Sequence, residues 1–276
     1  MGFEVTDYQF DVFNKNLKEL CGIYLTPDKK YLVQNRLADL IKEGYGGDFQ
    51  RFNLEWPKAL QSTKKKIIEL MTTRETFWFR DVRQFDYVKD TLLPEVANEI
   101  RSGKKNSFKM WSAACSSGQE PYTLAMILAD GFPSVLAKSP CPILATDISE
   151  DALKQAKEGV YGDFELSRGM PEKFKKFVLG NKINAKIKGL IDFRQQNLMG
   201  NFASAGKNDV IFLRNVLIYF ADETKKEILT KIYHQLTPTG KIFLSTTERI
   251  NGLDDLFEKD KSGLFYHKKR MTGFKF

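Results

Sequence analysis

The sequence predicts an α/β protein: a doubly wound parallel sheet preceded by an all-α segment. Three observations carry this. The first eighty or so residues place apolar side chains at helical spacing, and from about Lys104 short β-rich runs alternate with helical ones. Between Trp111 and Ala125, WSAACSSGQEPYTLA puts a small-residue turn between an apolar run and a helix, with an acid ending the next run, Ile143-Leu-Ala-Thr-Asp147. A strand opening through such a turn into a helix, with a carboxylate at the tip of the following strand, is the frame in which α/β proteins hold an adenosine-containing ligand.

Taken in order, Thr6-Asp7 starts a helix whose face is Phe10, Phe13, Leu17 and Leu20 and whose stop is Gly22. Pro27-Asp28 starts a second, with Tyr31, Leu32, Leu37, Leu40 and Ile41 on one face and Lys29, Lys30, Arg36 and Lys42 on the rest, ending at Gly44 to Gly47. A third begins near Asp48, and a fourth, Ser62 to Met71, follows a break around Pro57. Then come the strand FKMWSAA, the helix EPYTLAMILADGF, the strand PILATDI and the helix EDALKQAKEGVY. NDVIFLRNVLIYF is read as one strand, followed by the helix ETKKEILTKIYHQL, the strand GKIFLSTTE and a last pair around Leu256-Phe257 and Leu264-Phe265-Tyr266. In the irregular stretch Gly162 to Asn197, Ala185–Lys188 and Ile191–Gln195 flank Gly189 and are read as a small inserted hairpin. The domain reading is thus helices over 1–84, a linker to about 104, and an α/β domain over 105–276 with a β insert at about 183–196.

With 276 residues the chain can bury a full core. No apolar run approaches the ~20 residues of a membrane span, and the first residues lack a basic start followed by an apolar core, so a cytoplasmic protein without membrane insertion is expected. Three well-separated cysteines without a CxxC and only two histidines leave almost no ligands for a structural metal, and none is expected. The formal charge of +8 favours acidic partners without choosing among them.

Four places carry chemistry. The turn Ala114-Cys-Ser-Ser-Gly118 has one glycine where a dinucleotide fingerprint needs several, and Glu120 at the helix start would repel a pyrophosphate. A cofactor without phosphate and with a cationic tail, such as S-adenosylmethionine, suits that carboxylate; complementing the helix dipole is the competing reading. Asp147 is placed to accept from ribose hydroxyls, the alternative being a helix cap, a task Ser149 already suits. In Asp209–Phe220 the polar pair Arg214-Asn215 interrupts an apolar run and reads as a ligand contact, since a buried charge otherwise costs several kcal/mol. Met71–Asp81, with TTRETFWFRD, is either a buried aromatic junction or a lid over the cofactor.

The ordered motifs TTRETFWFRD, WSAACSSGQEPYTLA, ATDIS, an A-x-x-G-x-Y (Ala156, Gly159, Tyr161), Asn197-Leu198 and FLRNVLIYF resemble those of the CheR-type chemotaxis receptor methyltransferases, the protein-glutamate O-methyltransferases. The resemblance runs from the N-terminal helices to the last strands. It implies a Rossmann-like class I methyltransferase domain with a small inserted β subdomain, behind a basic helical domain that meets the cytoplasmic helical bundle of chemoreceptors, here through Lys29, Lys30, Arg36 and Lys42. It implies S-adenosylmethionine contacts at Arg74, Thr76, Arg80, Glu120, Asp147, Asn197, Leu198, Arg214 and Asn215. Arg80 and Tyr219 are similar to the residues bordering the transferred methyl group, and S-adenosylhomocysteine is the implied product. Two departures stand out. Arg74 replaces the family's usual Asn and would bring positive charge to the site mouth, and the compact Gly162–Asn197 stretch does not favour tethering of a receptor pentapeptide.

A glutamate acceptor, with an ordinary pKa of about 4.3, is already an anionic nucleophile at neutral pH, so no general base is required. Phe77, Trp78, Phe79 and Tyr219 are expected to exclude water while Arg80, together with Arg74, orients the acceptor. The alternatives are a non-catalytic module that binds S-adenosylmethionine or S-adenosylhomocysteine, and a methyltransferase acting on another protein or on nucleic acid. The nucleic-acid reading is disfavoured because Arg-Asn-Val-Leu-Ile-Tyr stands where base N-methyltransferases carry Asn/Asp-Pro-Pro-aromatic, and no cysteine lies near that position.

Overall fold

The computed structural model describes residues 3–269. Four helices open the chain: α1 (Asp7–Cys21), α2 (Lys30–Tyr45), α3 (Phe49–Glu55) and α4 (Gln61–Met71). Local chemistry sets their ends. Thr6 and Gln9 form a reciprocal capping box on α1, Gly22 ends it at φ +82°, and Asp48 caps α3. The helices enclose their own core, in which Phe13, Phe52 and Trp56 pack with Leu17, Leu37 and Ile67. On α2 the buried face is Val33, Leu37, Leu40 and Ile41. Tyr31, expected on that face, is exposed; two residues, about 200° of helical turn, separate it from Val33.

The expected linker is helical instead. The chain runs through α5 (Val82–Tyr87), a π turn at Val88–Leu92 and α6 (Leu93–Arg101), with Leu92, Leu93, Val96 and Ile100 in the core of the sheet domain. Pro94 lacks the N–H that would bond the carbonyl of Asp90, and the backbone widens its register there.

The strands β1 (Met110–Ala113), β2 (Ile143–Asp147), β3 (Val178–Leu179), β4 (Lys182–Ile183), β5 (Ile191–Gln195), β6 (Asn208–Phe212), β7 (Leu236–Phe243), β8 (Phe257–Lys259) and β9 (Tyr266–Lys268) follow, with helices α7 (Gln119–Gly131), α8 (Pro133–Lys138), α9 (Glu150–Glu158), α10 (Asp163–Ser167), α11 (Ala185–Lys188) and α12 (Asp222–Gln235) between them. Seven strands form one sheet in the order β5-β2-β1-β6-β7-β9-β8. The first five are parallel and the last two pairings antiparallel. Trp111 lies in register between Leu144 and Ile211, and apolar clusters cover both faces. The strand order reverses between β1 and β6, which opens a crevice at their carboxyl ends.

Two expectations change. The hairpin is β3–β4 around Gly180, not 183–196: Ala185–Lys188 is the helical turn α11 capped by Asn184, and Ile191–Gln195 is an edge strand of the main sheet, paired in parallel with β2. The short apolar alternation Ile191-Asp-Phe193 suits that half-covered edge. The run Asp209–Phe220 is not one strand either. β6 stops at Phe212, Asn215 turns left-handed at φ +57°, and Leu217–Tyr219 is a 3-10 turn. Among the described residues, no helix is long and apolar enough to cross a membrane.

Candidate active site

The crevice is a partly open cleft, and Arg74, Thr76, Arg80, Glu120, Asp147, Asn197, Leu198, Arg214, Asn215 and Tyr219 all line it. Helical-module residues Cys21, Ile23, Met71 and Thr72 complete its wall. Among the described residues, the five non-glycine residues at positive φ are Phe79, Asp81, Ala114, Ser116 and Asn215, all in loops that bound or adjoin this space. Such backbone costs on the order of 1–3 kcal/mol each and persists only where neighbours hold it.

The turn after β1 is held from behind. Gly118 sits at φ +97°, and a Cβ there would meet Ala156 Cβ at 2.9 Å. Tyr161 Oη donates to Ser117 O (2.6 Å) and Tyr122 Oη to Ala156 O (2.6 Å). Gly159 leaves room for Tyr122 Oη, which would lie 3.0 Å from a Cβ. The A-x-x-G-x-Y pattern is therefore the scaffold of the cofactor turn, and burial pushes both tyrosine hydroxyls to raised pKa values.

Asp147 ends β2 with each carboxylate oxygen accepting one backbone N–H, from Ser116 (2.8 Å) and Ser149 (2.9 Å). The remaining lone pairs are free to accept further donors. Burial pushes its carboxyl above the ordinary value, while those two N–H groups pull the other way. Ser149 caps α9, as expected. A second carboxylate serves there as well: Glu69 of α4 accepts from Glu150 N (2.7 Å) and Ser149 Oγ (2.5 Å).

Arg214, 2% exposed at its side chain, donates to Glu120 Oε2 (2.8 Å), Asp81 Oδ2 (2.8 Å) and Arg80 O (2.5 Å) and stacks 5.3 Å from the Phe85 ring centroid. Ser112 Oγ donates to the other oxygen of Glu120 (2.7 Å). Two carboxylates against one guanidinium leave this cluster with a net charge of −1; Glu120 and Arg214 line the cleft, and Asp81 does not.

The Met71–Asp81 segment divides between junction and mouth. Trp78 and Phe79, expected to exclude water from the site, are buried in the sheet domain's core and do not line the cleft; Phe77 and the unanticipated Phe85 do. Gly169, at φ +90°, packs so closely on Trp78 that a Cβ would lie 2.3 Å from its carbonyl. Arg80 Nη1 donates to Glu75 O (3.0 Å) and its guanidinium lies over Phe77, whose ring also faces Arg168. Arg74 pairs with Glu69 (2.5 Å) and Asp151 (3.3 Å), so much of its charge is neutralised at the start of α9.

The helical module grips this site directly. Tyr24 N donates to Tyr219 O (2.9 Å), Ile23 bridges Phe220, and Asn197 Nδ2 donates to Leu20 O (3.3 Å). Of the basic residues on and before α2, Arg36 is committed to the chain itself, donating to Met71 O (3.0 Å), Thr72 O (3.3 Å) and Thr73 Oγ1 (3.1 Å). Lys30 pairs with Asp7 and Lys29 with Asp28, while Lys42 is exposed. Gln196 and Glu248 also belong to the site or its frame and went unread in the sequence. Ser116 and Asp81 fell inside segments read as carrying chemistry, the turn Ala114–Gly118 and Met71–Asp81, but were not singled out.

A sheet of this order, with an acid-tipped second strand and a one-glycine turn at its switch point, is a Rossmann-like domain built to hold an adenosine-containing cofactor. Residues 74–265 match the family model described as the CheR methyltransferase S-adenosylmethionine-binding domain. The chain belongs to the CheR methyltransferase family and is a methyltransferase of chemotaxis. It is 36% identical over 274 residues to chemotaxis protein methyltransferase Cher2 of Pseudomonas putida, covering 94% of this chain and 98% of that one. To the chemotaxis protein methyltransferase of Vibrio parahaemolyticus it is 38% identical over 282 residues, covering 96% and 98%. Chemotaxis protein methyltransferase 1 of Pseudomonas aeruginosa is 35% identical over 274 residues, covering 94% and 97%.

Proposed function

We propose that this enzyme works in the cytoplasm, transferring the methyl group of S-adenosylmethionine to glutamate side chains of chemoreceptors in sensory adaptation. The observation that carries the reading is the cleft's charge pattern: a negative wall where Glu120 shares the buried Arg214 with Asp81 behind it, and a guanidinium, Arg80, that lines the same cleft as Tyr219. The negative wall suits the cofactor's cationic amino-acid tail, and Asp147 with its spare acceptor capacity suits the ribose hydroxyls. Thr76, Asn197, Leu198 and Asn215 line the rest of the cofactor space, with Arg74 at its edge.

When bound, the cofactor supplies an electrophilic methyl carbon on a sulfonium. The protein's part is position and exclusion of water. Arg80 spends one guanidinium N–H on Glu75 O and keeps donors to draw an acceptor carboxylate into line, while Phe77, Phe85 and Tyr219 line an apolar mouth. Holding two reactants in line contributes up to ~7–11 kcal/mol of barrier reduction. The acceptor is already anionic, so no residue has to take a proton. The helical module docks the receptor bundle, with Lys29, Lys30 and Lys42 outward and Arg36 bracing the loop behind them.

Methyl-labelled cofactor incubated with receptor cytoplasmic fragments tests the reading. The expected result is label on the receptor that alkali releases as methanol, the mark of a carboxyl ester, and its loss by ~100-fold or more in Arg80→Ala with the fold kept. Label on nucleic acid, or full activity in Arg80→Ala, refutes it.

A further inference from the structure

Glu248 lies just beyond β7 in Ser245-Thr-Thr-Glu248 and is only 5% exposed. Backbone surrounds its carboxylate. Oε1 accepts from Val216 N (2.9 Å) and Leu217 N (2.8 Å), and Oε2 from Asn215 N (2.8 Å) and Ser245 N (2.9 Å). Four donors fill the roughly four acceptor sites of a carboxylate. Three of them lie 31 to 33 residues away in sequence, on the segment that replaces the end of the expected strand.

That segment is a wall of the cleft, through Arg214, Asn215, Val216 and Tyr219. Asn215 turns the chain at φ +57°, a left-handed conformation that asparagine adopts more readily than most side-chain-bearing residues. A trans peptide sets its C=O opposite to its N–H. With the Asn215 N–H turned to Glu248, the Arg214 carbonyl of the same peptide group points away from Glu248, and no donor among the described residues reaches it.

We propose that Glu248 is a positioning residue for the cofactor: it gathers the Asn215–Leu217 N–H groups on one side so that the Arg214 carbonyl and the Asn215 and Tyr219 side chains are presented on the other. It does this without touching the ligand. The inference rests on the cleft being the cofactor site, and not on the identity of the methyl acceptor.

Calorimetric titration of the full chain with S-adenosylhomocysteine tests it without any acceptor. Glu248→Gln keeps the side chain's shape but sets an NH₂ against N–H donors. Binding weakened by ~10-fold or more at unchanged stoichiometry is expected, because unsatisfied buried donors reshape the wall. Unchanged affinity, at full or reduced stoichiometry, would show that Glu248 does not position the cofactor and would overturn the proposal. Absence of binding by the unsubstituted protein would instead overturn the cofactor reading beneath it. Should Glu248→Gln not fold, hydrogen exchange on the unsubstituted, ligand-free protein decides. Protected amides at Asn215, Val216 and Leu217 are expected, and free-loop exchange there would overturn the proposal.

Discussion

Replacing Arg214 by leucine tests whether the Glu120–Arg214–Asp81 cluster is a built electrostatic element. The guanidinium is 2% exposed and satisfies Glu120 and Asp81, themselves 13% and 25% exposed, as well as the carbonyl of Arg80. Leucine keeps apolar contact with Phe85 but leaves two carboxylates without their cation. Breaking a buried pair by removing one partner costs roughly 3–5 kcal/mol. Asp81 regains part of its hydration because it is the more exposed, which puts the expected loss near the lower end, about 3 kcal/mol. For a protein of this size that lowers Tm by roughly 6–12 °C. Thermal unfolding followed by circular dichroism measures it. The double variant Arg214→Leu, Glu120→Gln removes the more deeply buried of the stranded charges and should recover ~1 kcal/mol or more relative to the sum of the single changes. A single-variant loss below about 1 kcal/mol, or strict additivity in the cycle, would refute the reasoning.

Three further outcomes are expected. Burial holds the Asp147 carboxyl above 3.8 in the folded state, so its contribution to stability is full below that pH and is lost as pH rises through the folded value; the stability difference between the unsubstituted protein and Asp147→Asn should fall from about pH 4 upward, and a flat or rising difference in urea titrations would contradict this. Gly22→Ala combines a left-handed backbone with a Cβ 2.7 Å from the Phe220 ring and 2.8 Å from Met199 Sδ, for a combined loss of roughly 2–5 kcal/mol in chemical unfolding. A loss under ~1 kcal/mol would mean that the contact between the modules is soft. Lys42→Glu should raise the KM for receptor fragments while leaving S-adenosylhomocysteine affinity unchanged; an unaltered KM removes the exposed end of α2 from the docking surface.

What could be read from sequence was what is encoded locally. Thr6 with Gln9, Asp48 and Gly22 mark helix ends because a cap acts on the next three or four backbone groups. The turn at Cys115–Gly118 and the acid at Asp147 showed because phosphate-binding and sulfonium-binding turns differ in glycine count and charge within a few residues. Glu248 did not show, since nothing in Thr-Thr-Glu-Arg separates a carboxylate facing solvent from one saturated by backbone; its task depends on a loop more than thirty residues away. The same holds for Ile191–Gln195, whose alternation fits a hairpin arm and a sheet edge equally and is decided by pairing with β2. Arg36 misled for a related reason: a cation on a helix face carries no local sign that the carbonyls ending another helix lie within its reach.

The bridge between Ile23 and Phe220, together with the bond from Tyr24 N to Tyr219 O, has a consequence for how such enzymes can be rebuilt. A catalytic fragment beginning after the helices would lose Cys21, Ile23, Met71 and Thr72 from its cleft, along with the strap on Tyr219. On the proposed docking role of the helical module, target choice and catalysis are therefore not separable cassettes in this chain. A chimera that exchanges the helical module to redirect the enzyme must transplant Gly22 and the loop after it in register with Met199 and Phe220, or it will change the chemistry along with the address.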